Sequence, residues 1–137
     1  MKLHHIGIVV HNIVEQAALY NSAMPIGPLG EIFRDEVQKV YVAFVDAGNG
    51  VTLEFIEPDG EDSPVTLALR RGTSLHHICY EVPDIEQALA RAHTAGALIV
   101  CEPVPARALQ GRSIAFVYFP VGGLTEFVEA TKLPSPE

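Results

Sequence analysis

Leu3-His4-His5-Ile6 occurs twice in this sequence, since it returns as Leu75-His76-His77-Ile78, 72 residues later. The same offset relates segments far from this one: Ala43-Phe44-Val45 to Ala115-Phe116-Val117, and Glu54-Phe55 to Glu126-Phe127. One ungapped register held over roughly sixty positions is the signature of an internal duplication. The chain therefore contains two modules, each with histidine near its start and glutamate near its end.

The size of the chain favours one domain that contains both modules. At 137 residues the whole chain has the length of a single domain, whereas a module of roughly 65 residues alone would be a marginal fold. The predicted boundaries are one domain over residues 1–132, with a short tail at 133–137. Within it, module one covers 1–58, an acidic linker 59–73 and module two 74–132.

Charge and hydropathy exclude some classes of partner. The net charge of −8 argues against nucleic acid or an anionic membrane as the main partner. No apolar run approaches membrane-spanning length, and the residues after Met1 do not resemble a secretory signal. Cys79 and Cys101 lack CxxC spacing and are expected to be thiols in a reducing compartment. We therefore expect a cytoplasmic protein.

Module one is predicted to have the order β-α-β-β-β. Residues from Leu3 to Val10 alternate with the period of a strand. Asn12, with Glu15 three residues later, forms a capping-box pattern for a helix that ends before Pro25. Three strands are expected after the helix, at 31–36, 40–45 and 51–57.

Module two is predicted to repeat this plan after a short linker helix at 65–71. Its first strand covers 74–82, and Asp84 with Gln87 at the third helical position begins a helix over 85–95. Gly96 follows the helix, as is typical of a C-terminal cap. Further strands are expected at 98–102, 113–119 and 124–129, with irregular chain from Pro103 to Gln110.

The duplication identifies four candidate metal ligands. His5 and Glu54 lie on the first and last strands of module one, and His77 and Glu126 occupy the equivalent positions of module two. Two imidazoles and two carboxylates suit a borderline divalent ion such as Zn²⁺, Ni²⁺, Co²⁺, Mn²⁺ or Fe²⁺. A single histidine in a strand is more often a core residue, but repetition of both residue types at one offset favours a metal site.

Strand alternation separates these residues from their neighbours. Glu54 shares a face with Thr52 and Ile56, while the residues on either side of it point to the helix. By the same period, His4 and His76 point away from the site. We expect them to pack or to support the ligands from behind.

The sequence resembles the vicinal oxygen chelate superfamily from Leu3 to about residue 130. The matching motifs are HHIGIVV (4–10), LEFIEPDGEDSPV (53–65), HHICYEV (76–82) and LTEFVE (124–129). The resemblance implies an α+β fold of two tandem βαβββ modules that form a cupped mixed sheet around a central metal site. The family's ligand positions fall on His5, Glu54, His77 and Glu126, and imply one divalent ion, Zn²⁺, Ni²⁺, Co²⁺ or Mn²⁺.

Within that superfamily, the chain is similar to lactoylglutathione lyases (glyoxalase I) and to methylmalonyl-CoA epimerases. Both classes move a proton α to a carbonyl through an enediolate or enolate. A lyase acting on a hemithioacetal is the preferred expectation, because two glutamates are present and Val42 stands where some epimerases carry an acid. The alternative is an epimerase acting on a thioester. In either case Glu54 and Glu126 are the candidate catalytic bases.

Two further alternatives use the same fold. A metal-dependent oxygenase would use two histidines and one carboxylate, and a drug-binding resistance protein would need no metal. We also expect a homodimer. Five side chains are candidate contacts for a substrate anion, although a solvated surface position explains each of them more simply: Arg70, Arg71, Arg107, Arg112 and Tyr118.

Overall fold

The computed structural model describes residues 1–132, so the predicted tail at 133–137 lies outside the described residues. Two β-α-β-β-β modules follow each other, as the sequence predicts. Module one contains β1 (Lys2–Val9), α1 (Ile13–Ala23), β2 (Phe33–Asp35), β3 (Val40–Gly48) and β4 (Val51–Pro58). After the linker helix α2 (Thr66–Arg70), module two contains β5 (Leu75–Val82), α3 (Ile85–Thr94), β6 (Leu98–Ala106), β7 (Arg112–Phe119) and β8 (Gly123–Glu129).

The chain forms two compact units: residues 4–78, and residues 1–3 together with the described residues from 79 onward. The division falls inside β5 and not at the repeat boundary. The domain boundaries expected from the repeat therefore stay a prediction. Among residues 1–132, the helices are all too short or too polar to cross a membrane.

The unit of residues 4–78 contains a mixed sheet with the strand order β2-β3-β4-β1. β1 and β4 run parallel and the other pairs run antiparallel. The start of β5 lies beside β1, where the Val9 amide donates to the Ser74 carbonyl at 2.8 Å. Helix α1 covers one face through Ile13 and Ala17, which pack against Phe55. On the opposite face, Val9 and Ile56 pack against Val65 of the linker, and His5 and Glu54 lie on the same face of their strands.

Asparagine and aspartate caps begin the two long helices, as the sequence predicts. The Asn12 side chain accepts a hydrogen bond from the Glu15 amide at 2.9 Å, and the Asp84 side chain accepts one from the Gln87 amide at 3.0 Å. Each bond satisfies a backbone donor that the helix itself cannot pair. The helices therefore begin at equivalent positions of the repeat.

A second pair of repeated acids also holds the helix starts. Glu57, on β4, accepts a hydrogen bond from the Ile13 amide at 2.8 Å, and Glu129, on β8, accepts one from the Ile85 amide at 3.1 Å. A carboxylate at a helix N-terminus is favoured by the helix dipole. These two glutamates are repeated because each joins a helix to the last strand of its module.

The second unit contains the rest of β5, and its sheet has the strand order β5-β8-β7-β6. Helix α3 packs on this sheet, with Ile85 and Leu89 against Val117.

The expectation of irregular chain from 103 to 110 is partly wrong, because β6 continues to Ala106. A 3-10 turn follows at Arg107–Leu109. Proline is tolerated in β6 because that strand is last in the order, so an amide on its outer side need not join the ladder.

The acidic linker forms ion pairs with basic residues earlier in the unit of residues 4–78. The Arg34 Nε donates to Asp59 Oδ2 at 2.9 Å, and Lys39 donates to Asp62. The hydrogen bond from Lys39, and then its charge, hold the pKa of Asp62 below its ordinary value. The linker acids therefore lie against basic residues of β2 and of the turn after it.

Candidate metal centre

His5, Glu54 and His77 converge in the unit of residues 4–78. One ligand atom from each lies within 4.8 Å of the others, and all three side chains are buried. The two histidine Nε2 atoms are 3.0 Å apart. The Glu54 Oε1 lies 3.4 Å from the Nε2 of His77 and 3.7 Å from that of His5. Three donors that sequence analysis selected from distant positions therefore form one cluster.

Strand register explains how β1 and β4 contribute to this cluster. In the parallel pair, Gly7 lies opposite Glu54, and residues two apart on a strand share a face. Phe44 pairs with Glu54 across β3 and β4, and its ring lies edge-on to His5 at 5.3 Å. Phe55 packs on the helix side instead. The predicted alternation of faces along β4 is confirmed.

Gly7 provides the space that the His77 ring occupies. A Cβ atom at position 7 would lie 2.3 Å from His77 Cε1 and 2.5 Å from His77 Nδ1. Carbon atoms not bonded to each other pack at about 3.5–4.0 Å, so no side chain fits there without displacing the ring. Strand alternation places Gly7 on the same face as His5, and the sequence carries no further signal for its role.

His4 and His76 contact the site histidines directly. The Nδ1 atoms of His4 and His5 are 2.8 Å apart, and those of His76 and His77 are 2.7 Å apart. Of the two roles expected for this pair, packing or support of the ligands, these contacts favour support. The sequence signal was the duplicated His-His pair, but strand alternation could not reveal the contact between neighbours.

The donor set fits a divalent ion. Two nitrogens at Zn–N distances of 2.0–2.1 Å would be about 2.8–3.4 Å apart for bond angles between 90° and tetrahedral. The Nε2 atoms of His5 and His77 fall within this range at 3.0 Å. The Glu54 oxygen lies at the upper limit from His77, at 3.4 Å, and slightly beyond it from His5, at 3.7 Å. The His77 ring adopts this position because Gly7 has no side chain to occupy the same space.

Glu126 lies in the other compact unit, at the position of β8 equivalent to Glu54. It is buried, and it pairs with Phe116 across β7 and β8 as Glu54 pairs with Phe44. Its assignment as the fourth ligand stays a prediction.

The proposed anion contacts include two arginines that are already engaged. Arg112 donates to Glu81 Oε2 at 2.6 Å and to the Glu129 carbonyl at 2.9 Å, while Arg70 pairs with Glu61. Structural ion pairs therefore account for both. Tyr118 is partly exposed, at 44%.

Comparison with known proteins identifies relatives over most of the chain. The family model for the glyoxalase/bleomycin resistance protein/dioxygenase superfamily matches residues 4–116. The uncharacterized protein YqjC of Bacillus subtilis is 38% identical over 120 residues, which are 85% of this chain and 81% of that protein. An ethylmalonyl-CoA/methylmalonyl-CoA epimerase of Cereibacter sphaeroides is 30% identical over 119 residues, 85% of this chain and 87% of the epimerase.

Solved structures share the fold over nearly the whole chain. A hypothetical protein from Bacillus halodurans has a TM-score of 0.82 at 30% identity and covers 98% of both chains. A methylmalonyl-CoA epimerase in complex with methylmalonyl-CoA and NH4+ has a TM-score of 0.79 at 27% identity, again over 98% of both chains. A Streptomyces coelicolor methylmalonyl-CoA epimerase variant bound to 2-nitronate-propionyl-CoA has a TM-score of 0.79 at 26% identity, covering 96% and 99%. The predicted α+β fold class is confirmed.

Proposed function

Because the chain belongs to the glyoxalase/bleomycin resistance protein/dioxygenase superfamily, we propose that it is a metal-dependent epimerase of acyl-CoA thioesters of the methylmalonyl-CoA type. The observation that carries this proposal is the buried cluster of His5, Glu54 and His77, in a chain 30% identical to an ethylmalonyl-CoA/methylmalonyl-CoA epimerase. From the two glutamates and Val42 we expected a lactoylglutathione lyase, with the epimerase as the alternative. The relatives support the alternative.

His5, His77 and Glu54 would hold the ion, with Glu126 as the proposed fourth ligand. When bound, a divalent ion supplies a Lewis acid that stabilises the negative charge developing on the thioester carbonyl oxygen. Both histidines direct their Nε2 atoms towards the cluster. All three side chains are buried, which excludes bulk water from the ligand atoms. Water exclusion strengthens electrostatic interactions at the reacting atoms.

Proton transfer is the task of the chain's own carboxylates. An epimerase removes the α proton from one face of the substrate and returns a proton to the opposite face, so it needs two acid–base groups. The duplication provides two equivalent buried carboxylates, Glu54 on β4 and Glu126 on β8. We assign proton removal and return to these two carboxylates.

Lactoylglutathione lyase is the second candidate function, and Val42 is the observation that favours it. Some epimerases carry an acid at the position that the resemblance assigns to Val42. Here Val42 packs against an apolar cluster that includes Val9, Val40 and Ile56. No proton transfer can occur at that position. An epimerase reaction would therefore depend on the two site glutamates alone.

The test compares two substrates and two glutamates. Zinc-, nickel-, cobalt- and manganese-loaded protein is assayed with methylmalonyl-CoA and with the methylglyoxal–glutathione hemithioacetal. We expect turnover of the thioester, with deuterium from the solvent appearing at the α carbon. Glu54→Gln should lower turnover by about 10² or more, because an amide cannot accept the proton.

Glu57→Gln is the matched control. It is the same change on the same strand, but Glu57 binds the start of α1 instead of facing the site. It should keep turnover near the wild-type value. Turnover of the hemithioacetal without any exchange into methylmalonyl-CoA would replace the epimerase proposal with the lyase. Normal turnover by Glu54→Gln would show that Glu54 is not a base.

The expected homodimer and the expected cytoplasmic location stay predictions.

A further inference from the structure

Four imidazoles lie in a row through the candidate metal centre. His4 Nδ1 is 2.8 Å from His5 Nδ1, His5 Nε2 is 3.0 Å from His77 Nε2, and His77 Nδ1 is 2.7 Å from His76 Nδ1. All four belong to the unit of residues 4–78. Every contact is between ring nitrogens at hydrogen-bonding distance, so the position of each ring proton is constrained by its neighbours.

The proton positions follow once the inner nitrogens act as ligands. A neutral imidazole has one N–H donor and one acceptor nitrogen. A metal ligand must offer a lone pair, so the Nε2 atoms of His5 and His77 carry no proton, and each ring proton lies on Nδ1. Each Nδ1–H can then donate only to an acceptor, so the facing Nδ1 of His4 and of His76 must be unprotonated. The ring protons of His4 and His76 therefore lie on Nε2.

We propose that His4 and His76 are positioning residues, each of which accepts the Nδ1–H of the neighbouring metal-binding histidine and thereby fixes its tautomer and ring orientation. This inference rests on the proposed metal site. A ligating histidine usually donates its second ring N–H to a carboxylate, a carbonyl or a water, and loss of that acceptor typically costs 10–100-fold in metal affinity. Here the acceptor on each side is a neutral imidazole supplied by the preceding residue.

If His4 and His76 served only to fill space, a side chain of similar volume could replace each of them. His4 and His76 are only partly buried, so a leucine of similar bulk would satisfy packing. It would not accept a hydrogen bond. An asparagine, by contrast, can place its side-chain oxygen close to where the histidine Nδ1 lies. The Leu and Asn variants therefore separate an acceptor role from a space-filling one.

The first experiment measures zinc affinity by competition with a chromogenic chelator. We expect His4→Leu and His76→Leu to lose about 10–100-fold in affinity, and His4→Asn and His76→Asn to retain most of it. His11→Leu is the control, because His11 is exposed, and its affinity should be unchanged. Zinc affinity unchanged in both folded Leu variants would overturn the inference, as would equal losses in the Leu and Asn variants.

The second experiment needs no variant and so does not depend on folding of a mutant. Long-range ¹H–¹⁵N spectra of the zinc-loaded, histidine-labelled protein report which ring nitrogen carries a proton. We expect Nδ1–H for His5 and His77 and Nε2–H for His4 and His76. Nδ1–H on His4 or His76 would overturn the inference while leaving the metal site intact. Failure of the wild-type protein to bind zinc, nickel, cobalt or manganese would instead overturn the site and the proposed function with it.

Discussion

Replacing Gly7 with alanine tests the geometry of the metal centre with a single methyl group. The added Cβ would lie 2.3 Å from His77 Cε1, 2.5 Å from Nδ1 and 2.9 Å from Nε2. Ordinary carbon contacts are about 3.5–4.0 Å, so the ring must move by roughly 1 Å or β1 must move instead. Overpacking of this kind costs about 1–3 kcal/mol in a close-packed interior.

The same displacement should lower metal affinity. The His77 Nε2 now lies 3.0 Å from that of His5, and a shift of roughly 1 Å takes it out of this arrangement. Strain that the metal-free protein relieves by moving the ring returns when the ion holds the ring in place, and about 1–3 kcal/mol of such strain lowers zinc affinity by about 5- to 150-fold. Both the free energy of unfolding, from urea titration, and the zinc affinity, from chelator competition, should therefore decrease.

A double-mutant cycle with His77→Ala makes this reasoning refutable. In the His77→Ala background the clashing ring atoms are gone, and alanine in place of glycine within a strand should be neutral or stabilising by about 0.5–1 kcal/mol. The sign of the Gly7→Ala effect should thus reverse between backgrounds. Ile8→Val is the matched control on the opposite face, with a cost of about 0.5–1.5 kcal/mol and no change in zinc affinity. Equal destabilisation by Gly7→Ala in both backgrounds would show that His77 does not occupy this space.

Three further outcomes are expected. The wild-type protein should bind about one divalent ion per chain, and His5→Ala should abolish stoichiometric binding, as measured by elemental analysis after reloading; full occupancy in this variant would exclude His5 as a ligand. Glu57→Ala should lower the free energy of unfolding by about 1 kcal/mol, because the Ile13 amide loses its acceptor; a urea titration that matches wild type would contradict this. Lys39→Met should raise the pKa of Asp62 towards its ordinary value of 3.8, as followed by carboxyl NMR. Since folding lowers that pKa, the stabilising effect of the pair is present above the unfolded pKa and is lost as pH falls through the folded one.

The order of elements could be predicted from the sequence because its signals are local. Period two marks the strands, and Asn12 and Asp84 mark the helix starts through bonds to amides three residues away. The largest local error, the length of β6, has a tertiary cause. Prolines indicate irregular chain in general, but they are tolerated in a strand that is last in the sheet order.

Most of the candidate site was also accessible from the sequence. A repeat with a fixed offset selected His5, Glu54 and His77 without any knowledge of strand neighbours, and alternation placed Glu54 on the face away from α1. The choice between lyase and epimerase was not accessible in this way. The two glutamates and Val42 favoured the lyase, whereas similarity to known proteins favours the epimerase.

The amino-acid sequence alone is enough to assign the element order and the face on which each residue lies, since both follow from backbone geometry over a few residues. The contacts of each side chain depend instead on how distant segments pack together. Gly7 leaves space for His77, 70 positions later in the chain. Glu57 accepts a hydrogen bond from the Ile13 amide, 44 positions earlier. Even the contact between His4 and His5, which are adjacent in the chain, depends on ring rotations. The strands and side chains packed around the two rings determine these side-chain torsion angles, and the periodicity of the sequence does not predict them.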